Sequence, residues 1–162
     1  MYPSPRASPG QWLVNSSDRV ILEIVFQLSN MEKAKTIDTG FSTADAEWPR
    51  ISEDNDGNLE LSFIDWREQG ITVVFEDYAA YKWQSIETFV EGEEYDRCHV
   101  IENSKWLKEH LDQEVITLEE GHKHYKLNFN ACGQFEVIAK KILFNGIISR
   151  LHGSHSLALQ AP

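Results

Sequence analysis

Two histidines, His122 and His124, are separated by one residue at the start of a predicted strand. Residues two apart on a strand point to the same face, so the pair is a candidate half of a metal site. Zinc needs further ligands, and the next residue on that face is Lys126, which has no free lone pair. A hairpin that closes symmetrically about Cys132 would also place Lys140 opposite His124. We therefore predict that this face is the polar, solvent-facing side of a sheet and that it holds no metal.

Other patterns in the chain offer no complete catalytic or cation-binding set. The segment 52–57 (SEDNDG) resembles the start of a calcium loop, but Phe63 occupies the twelfth position, where a bidentate glutamate is required. Paired carboxylates for acid–base work could come from five residues, as any chain with 26 acidic residues contains such pairs: Glu76, Asp77, Glu91, Glu93 and Glu94. The sequence contains no GxSxG, P-loop, GxGxxG or HExxH motif. We predict no catalytic residues, no cofactor and no enzymatic activity.

The acidic residues are concentrated in the middle of the chain. The formal net charge is −11, and residues 76–120 carry 13 acidic against 4 basic side chains, a net charge of −9. Such a balance disfavours nucleic acid and anionic membranes. It permits a basic protein partner, although many acidic proteins are simply soluble. The predicted partner-binding residues are four carboxylates of an exposed loop and a tryptophan beside a turn: Glu91, Glu93, Glu94, Asp96 and Trp66.

Alternating apolar residues predict the elements that must position these side chains. Segments 59–63 and 71–75 flank a glycine-containing turn and predict one β-hairpin, while segments 125–129 and 135–139 predict a second. Segment 103–113 has apolar residues at helical spacing after a capping asparagine or serine, which predicts one helix. The predicted fold class is α+β, mainly β: an antiparallel curved sheet of about six strands packed with one helix.

The ends of the chain differ in composition from the middle. Residues 1–18 are rich in proline, serine and glycine and are predicted to form a flexible N-terminal arm. Residues 19–150 are predicted to form a single globular domain, followed by a C-terminal tail over 151–162. The apolar run Val20–Leu28 is interpreted as a buried strand, with a short helix as the alternative.

The expected compartment is the cytoplasm. Cys98 and Cys132 lack CxxC spacing, and so few cysteines are typical of a reducing environment. No stretch of 18 apolar residues predicts a membrane span, and the early apolar run lacks the cleavage pattern of a signal peptide.

The order of segments between residues 58 and 140 resembles that of small immunity proteins from bacterial polymorphic-toxin systems. The resemblance rests on LELSFIDW, ITVVFEDYAAYKW, VIENSKWLKEH and HYKLNFNACGQFEVIA, together with the acidic balance. It implies a non-enzymatic protein that inhibits a cognate toxin by binding it. Two other classes stay open: an adaptor or subunit domain, and a small metal-dependent enzyme that uses His122 and His124.

Overall fold

The computed structural model describes residues 19–21, 30–85 and 88–148. The chain divides into two compact units, residues 1–31 and residues 32–162. The predicted N-terminal arm and C-terminal tail lie outside the described residues, so the predicted domain boundaries stay predictions.

In the first unit, the described residues include a short helical stretch at the start of the predicted buried strand. Val20 and Ile21 belong to this helical stretch, and both side chains are exposed. The strand predicted over Val20–Leu28 is therefore wrong at these two positions, where the helical alternative is correct. The remainder of that segment lies outside the described residues.

The second unit contains one seven-stranded sheet in which each pair of neighbouring strands is antiparallel. The strands follow the order β1-β5-β6-β7-β4-β3-β2 across the sheet. Their bounds are β1 Lys33–Ile37, β2 Glu47–Glu53, β3 Leu59–Ile64, β4 Gly70–Gln84, β5 Cys98–Glu102, β6 Lys123–Phe129 and β7 Gly133–Ile148. A helix, α1, spans Lys105–Asp112, and a short 3-10 helix spans Leu118–Glu120. The predicted mainly β class is confirmed, with seven strands where about six were expected.

Both predicted hairpins are present, as β3–β4 and β6–β7. The alternating apolar residues point inward, and the side chains of Leu61, Val73, Leu127 and Phe135 are fully buried. Gly133 opens β7 with a φ of +96°, and a Cβ at this position would lie 2.1 Å from a backbone oxygen. That oxygen belongs to Gln84 at the end of β4, so only glycine allows β4 to lie this close to the start of β7.

The sheet is strongly curved, as predicted. Phe63 on β3 and Phe129 on β6 have ring centroids 5.2 Å apart, although β4 and β7 lie between their strands. In a flat sheet, three strand spacings would separate such residues by about 14 Å. Phe41, from the segment that connects β1 to β2, packs edge-on against Phe63 at 5.5 Å. The apolar core therefore lies inside the curve.

Helix α1 lies on the face of the sheet opposite to this core. Ser104 caps the helix by accepting a hydrogen bond from the N–H of Leu107 at 3.0 Å. The ring of Trp106 packs edge-on against His124 at 5.1 Å, and the next residue along β6, Tyr125, belongs to the core on the other face. Within the described part of the chain, no helix has the length and apolar character needed to cross a membrane.

Candidate functional site: an acidic loop anchored on a buried polar layer

The polar face of β6 is buried, so the prediction of a solvent-facing side was wrong. His124, Lys126 and Asn128 are each at most 4% exposed. Helix α1 covers this face through Trp106, and the loop of residues 88–97, called the acidic loop below, covers the remainder. Buried polar groups lose their water, so each needs a partner within the protein.

The β6–β7 register also differs from the predicted one. Phe129 pairs with Gly133, which centres the hairpin one residue earlier than a turn about Cys132. His124 consequently lies opposite Ile138 rather than Lys140. The lysine expected beside His124 is therefore displaced, and a carboxylate from β7 takes its place.

That carboxylate belongs to Glu136. Oε2 of Glu136 lies 2.9 Å from Nε2 of His124, and Nδ1 of His124 lies 2.8 Å from Oγ of Ser104. The side-chain amide of Gln84 donates to Oε1 of Glu136 at 2.6 Å. Nζ of Lys82 lies 3.3 Å from Oε2 of Glu136. Burial acts to raise the pKa of the Glu136 carboxyl, but His124 and the nearby lysines outweigh it and hold the pKa below its ordinary value.

A serine, a histidine and a carboxylate that contact one another in a row are the components of a hydrolytic triad. The serine here has a structural role instead. Oγ of Ser104 already accepts the N–H of Leu107 as the helix cap, and Ser104 is buried. A pocket of about 280 Å³ beside this set is lined by His124, Lys82 and Trp106, and not by Ser104. The arrangement therefore positions α1 on the sheet.

The two histidines of the predicted metal pair have different partners. Nε2 of His122 lies 3.1 Å from the backbone oxygen of Asp77, whereas His124 contacts Ser104 and Glu136. Among the residues that the structure describes, no group of three or more histidine, cysteine, aspartate or glutamate side chains is arranged to hold a metal ion. That the protein binds no metal stays a prediction.

The acidic loop is anchored from beneath by Glu93, whose side chain is fully buried. One oxygen of Glu93 lies 2.9 Å from Nζ of Lys126 and accepts from the side-chain amide of Asn128 at 2.7 Å. The other accepts the N–H of Val90 at 2.8 Å. Glu93 was predicted to be an exposed member of the loop, and this was wrong because Lys126 and Asn128 draw its carboxylate into the sheet.

The backbone of the loop is also attached to the edge of the sheet. The N–H of Ala34 on β1 donates to the oxygen of Glu91 at 2.8 Å. Gly92 follows with a φ of +82°, and a Cβ there would lie 2.8 Å from the oxygen of Ala34. This close approach requires glycine, so the sequence EGEE is suited to a loop held against a strand.

The remaining predicted carboxylates lie nearer the surface. Glu91 and Glu94 are exposed, with Glu91 in a long ion pair to Lys33 at 3.7 Å and Glu94 accepting from Thr36 at 3.1 Å. Asp96 is half-buried, and its backbone oxygen accepts the N–H of a residue in the β1–β2 connection. Whether these side chains bind a partner stays a prediction.

Two exposed aromatic residues of the same loop were missed by sequence reasoning. Phe89 and Tyr95 are 39% and 66% exposed, and their ring centroids are 4.6 Å apart. The available signal was the placement of an aromatic residue on each side of the acidic residues in TFVEGEEYD. An exposed aromatic pair on an anchored loop has the composition of a binding hot spot.

Trp66 is exposed in the turn between β3 and β4, with the guanidinium of Arg67 at 5.8 Å from its ring. Nη2 of Arg67 reaches the backbone oxygen of Gly40 at 3.5 Å. The N–H of Thr43 donates to the oxygen of Asp96 at 3.3 Å. Gly40 and Thr43 belong to the β1–β2 connection, so this segment contacts both the turn of Trp66 and the acidic loop.

No protein-family model, no curated protein and no solved structure matches the chain.

Proposed function

We propose that this chain is a non-enzymatic protein-binding domain whose acidic loop engages a basic protein partner. The observation that carries the proposal is the contacting pair Phe89 and Tyr95, exposed on the same loop as the exposed carboxylates Glu91 and Glu94. A few residues carry most of the energy of a protein interface, and tyrosine is enriched among them. Flanking charges select and steer the partner.

The anchoring of the loop supports this use. Ordering a flexible loop opposes association, and a loop that is already held avoids that entropic cost. Glu93 holds the acidic loop to β6 by a buried ion pair, while the bond from Ala34 to Glu91 holds it to β1. Phe89 and Tyr95 are therefore presented on a preorganised surface.

The specific form of the proposal is an immunity protein that inhibits a cognate toxin by occupying its basic surface. Support comes from the resemblance between residues 58 and 140 and those immunity proteins, and from the net charge of −11. The same charge disfavours nucleic acid and anionic membranes as partners. The proposal places the protein in the cytoplasm, in keeping with the free thiols of Cys98 and Cys132.

The test begins by recovering a partner with the immobilised full chain from an extract of the source organism. Association and dissociation rates are then measured across a salt series. The double variant Glu91→Gln, Glu94→Gln should slow association and flatten its salt dependence, because it removes two exposed charges. Tyr95→Ala should chiefly accelerate dissociation, because it removes an aromatic contact.

Matched controls separate the loop from the general acidity of the chain. Glu102→Gln with Glu119→Gln removes two exposed carboxylates outside the loop, and Leu118→Ala truncates an exposed apolar side chain elsewhere. These controls should leave both rates at the wild-type values. If the loop variants associate and dissociate as the wild type does, the interface lies elsewhere and the proposal fails. Glu93 is left unchanged in this experiment, because its replacement would release the loop itself.

A further inference from the structure

A second pocket lies on a different surface, at the outer face of β2, β3 and β4, and has a volume of about 550 Å³. Arg50, Ser62 and Thr72 occupy matching register positions on the three strands and all line it. Their side chains lie on the face opposite to the core, since Leu61 and Phe63 on β3 point inward. The volume is in the range of small-molecule sites.

Trp48 forms one wall of this pocket in an unusual backbone conformation. Its φ is +56°, and it lies where the β2–β3 register shifts between Glu47 and Arg50. Among the described non-glycine residues with positive φ, Trp48 is the one aromatic. A bulky residue is rarely found in the left-handed region, and bulges of this kind turn a side chain toward a site.

Burial does not explain this conformation, because Trp48 is 68% exposed. Backbone strain that is not explained by packing is concentrated at ligand clamps and other functional sites. Trp48 lines the pocket and its indole is exposed, so it offers an aromatic surface on which a flat ring can stack.

Arg50 supplies an unneutralised cation to the same pocket. Its guanidinium forms no ion pair with any residue in the described ranges, whereas Arg67 is paired with Asp65 and Arg97 with Glu94. Arg50 is exposed, so its guanidinium is accessible to a ligand in the pocket. The planar guanidinium is suited to grip a carboxylate or phosphate through two parallel hydrogen bonds.

The hydroxyls of Ser62 and Thr72 extend this cationic position across the sheet. Neither hydroxyl is hydrogen-bonded to a side chain or backbone group in the part of the chain that the structure describes, and both residues are half-buried. An arginine followed by two hydroxyl donors in a cross-strand row is a complementary surface for one oxyanion.

We propose that this pocket binds a small molecule that combines a flat ring with an anionic group. The ring stacks on Trp48, and the anionic group is bound by Arg50 with Ser62 and Thr72. Nucleoside monophosphates and aromatic carboxylic acids both have this chemistry. The site is separate from the proposed partner-binding surface, since no residue of the acidic loop lines it.

The experiment titrates the full chain with adenosine monophosphate and, separately, with indole acetate, and measures heat and amide chemical shifts. At least one probe should saturate the site at concentrations below about 1 mM. Adenosine, which lacks the phosphate, should bind at least about tenfold more weakly than its monophosphate if the nucleotide is the ligand class. Saturation by indole acetate alone would assign the carboxylic acids.

Variants of the pocket test the two contacts separately. In the Arg50→Gln variant, adenosine and adenosine monophosphate should bind with equal affinity. In the Trp48→Ala variant, the affinity of each binding probe should fall by about tenfold. Trp48→Gly should also abolish stacking while leaving thermal stability equal or higher, because glycine adopts a positive φ without strain. This variant distinguishes a lost ligand contact from a lost fold.

Matched controls are Trp66→Ala and Arg97→Gln, an exposed tryptophan and an exposed arginine that do not line the pocket. Both should retain wild-type affinity. The proposal is overturned if neither probe saturates up to about 10 mM, which is the range of non-specific contact. It is equally overturned if binding persists unchanged in Trp48→Ala and Arg50→Gln.

Discussion

Nζ of Lys126 lies 2.9 Å from Oε1 of Glu93, and both side chains are buried beneath the acidic loop. Lys126 also donates to the backbone oxygen of Thr88, and Glu93 accepts from Asn128 and Val90. This ion pair joins the loop to the centre of the sheet, so the shape of the proposed binding surface depends on it. A buried charge pair of this kind is costly to break on one side, because the remaining charge stays without compensation.

Glu93→Gln and Lys126→Met should therefore each lower the free energy of unfolding by about 3–5 kcal/mol. The double variant should lose less than the sum, because it leaves no isolated buried charge. Chemical denaturation of the three variants measures this coupling. As a control, Lys33→Met with Glu91→Gln removes an exposed pair and should cost no more than about 1 kcal/mol. Additive losses in the double variant would show that the two side chains do not depend on each other.

The two histidines should differ in their contribution to stability. His124→Ala should cost about 2–4 kcal/mol, because it removes a buried ring and leaves Ser104 and Glu136 without their shared partner. His122→Ala removes one contact to a backbone oxygen and should cost about 1 kcal/mol. Leu127→Ala, at a fully buried core position, provides the reference at about 2–5 kcal/mol. Equal, small losses at both histidines in urea denaturation would contradict the buried polar layer.

Stability should fall in mildly acidic solution because of His99. This side chain is fully buried, its Nε2 accepts the N–H of Glu94 at 3.0 Å, and burial lowers its pKa below the ordinary value of 6.5. Below pH 6.5 the unfolded chain binds a proton that the folded chain does not, so stability decreases as the pH falls toward the folded pKa. The free energy of unfolding should decrease between about pH 7 and pH 5. His99→Gln should reduce this slope, and an unchanged slope in that variant would refute the assignment.

A further loss of folding stability is expected at lower pH, when the Glu136 carboxylate is protonated. Its pKa is held below the ordinary value of 4.5, so the carboxylate stabilises the folded protein above that value. This stabilisation is lost as the pH falls through the folded pKa, since the carboxylate must then be protonated. Glu136→Gln should remove this acidic step while leaving the step near neutrality. The same pH series, extended below about pH 4.5, measures both.

The two cysteines should differ in reactivity. Cys98 is fully buried and burial raises the pKa of its thiol, so little thiolate is present at neutral pH. Cys132 is partly exposed. Alkylation of the native protein followed by mass spectrometry should modify Cys132 and leave Cys98 unmodified until denaturant is added. Protection of both thiols under reducing conditions would contradict the exposure of Cys132.

Local periodicity was sufficient to predict much of this fold. The alternation of Leu59, Leu61 and Phe63 specified which face of β3 is buried, because successive side chains of a strand point to opposite sides. The glycine turns specified both hairpins, and the helix start was predicted to within one residue, at Asn103 or Ser104. These features depend on residues close together in the sequence, where backbone geometry leaves few alternatives.

The site depended on contacts between distant residues and could not be predicted in the same way. His124, Lys126 and Glu93 are polar, and polarity alone indicates exposure; their burial results from α1 and the acidic loop covering that face. A shift of one residue in the centre of the β6–β7 hairpin then replaced the expected Lys140 with Ile138 opposite His124. The sequence by itself determined the two hairpins, the helix and the apolar face, but it did not predict β1, β2 or β5. Only the tertiary structure decided that the second face is also buried, because that outcome requires each polar group on it to meet a partner from elsewhere in the chain.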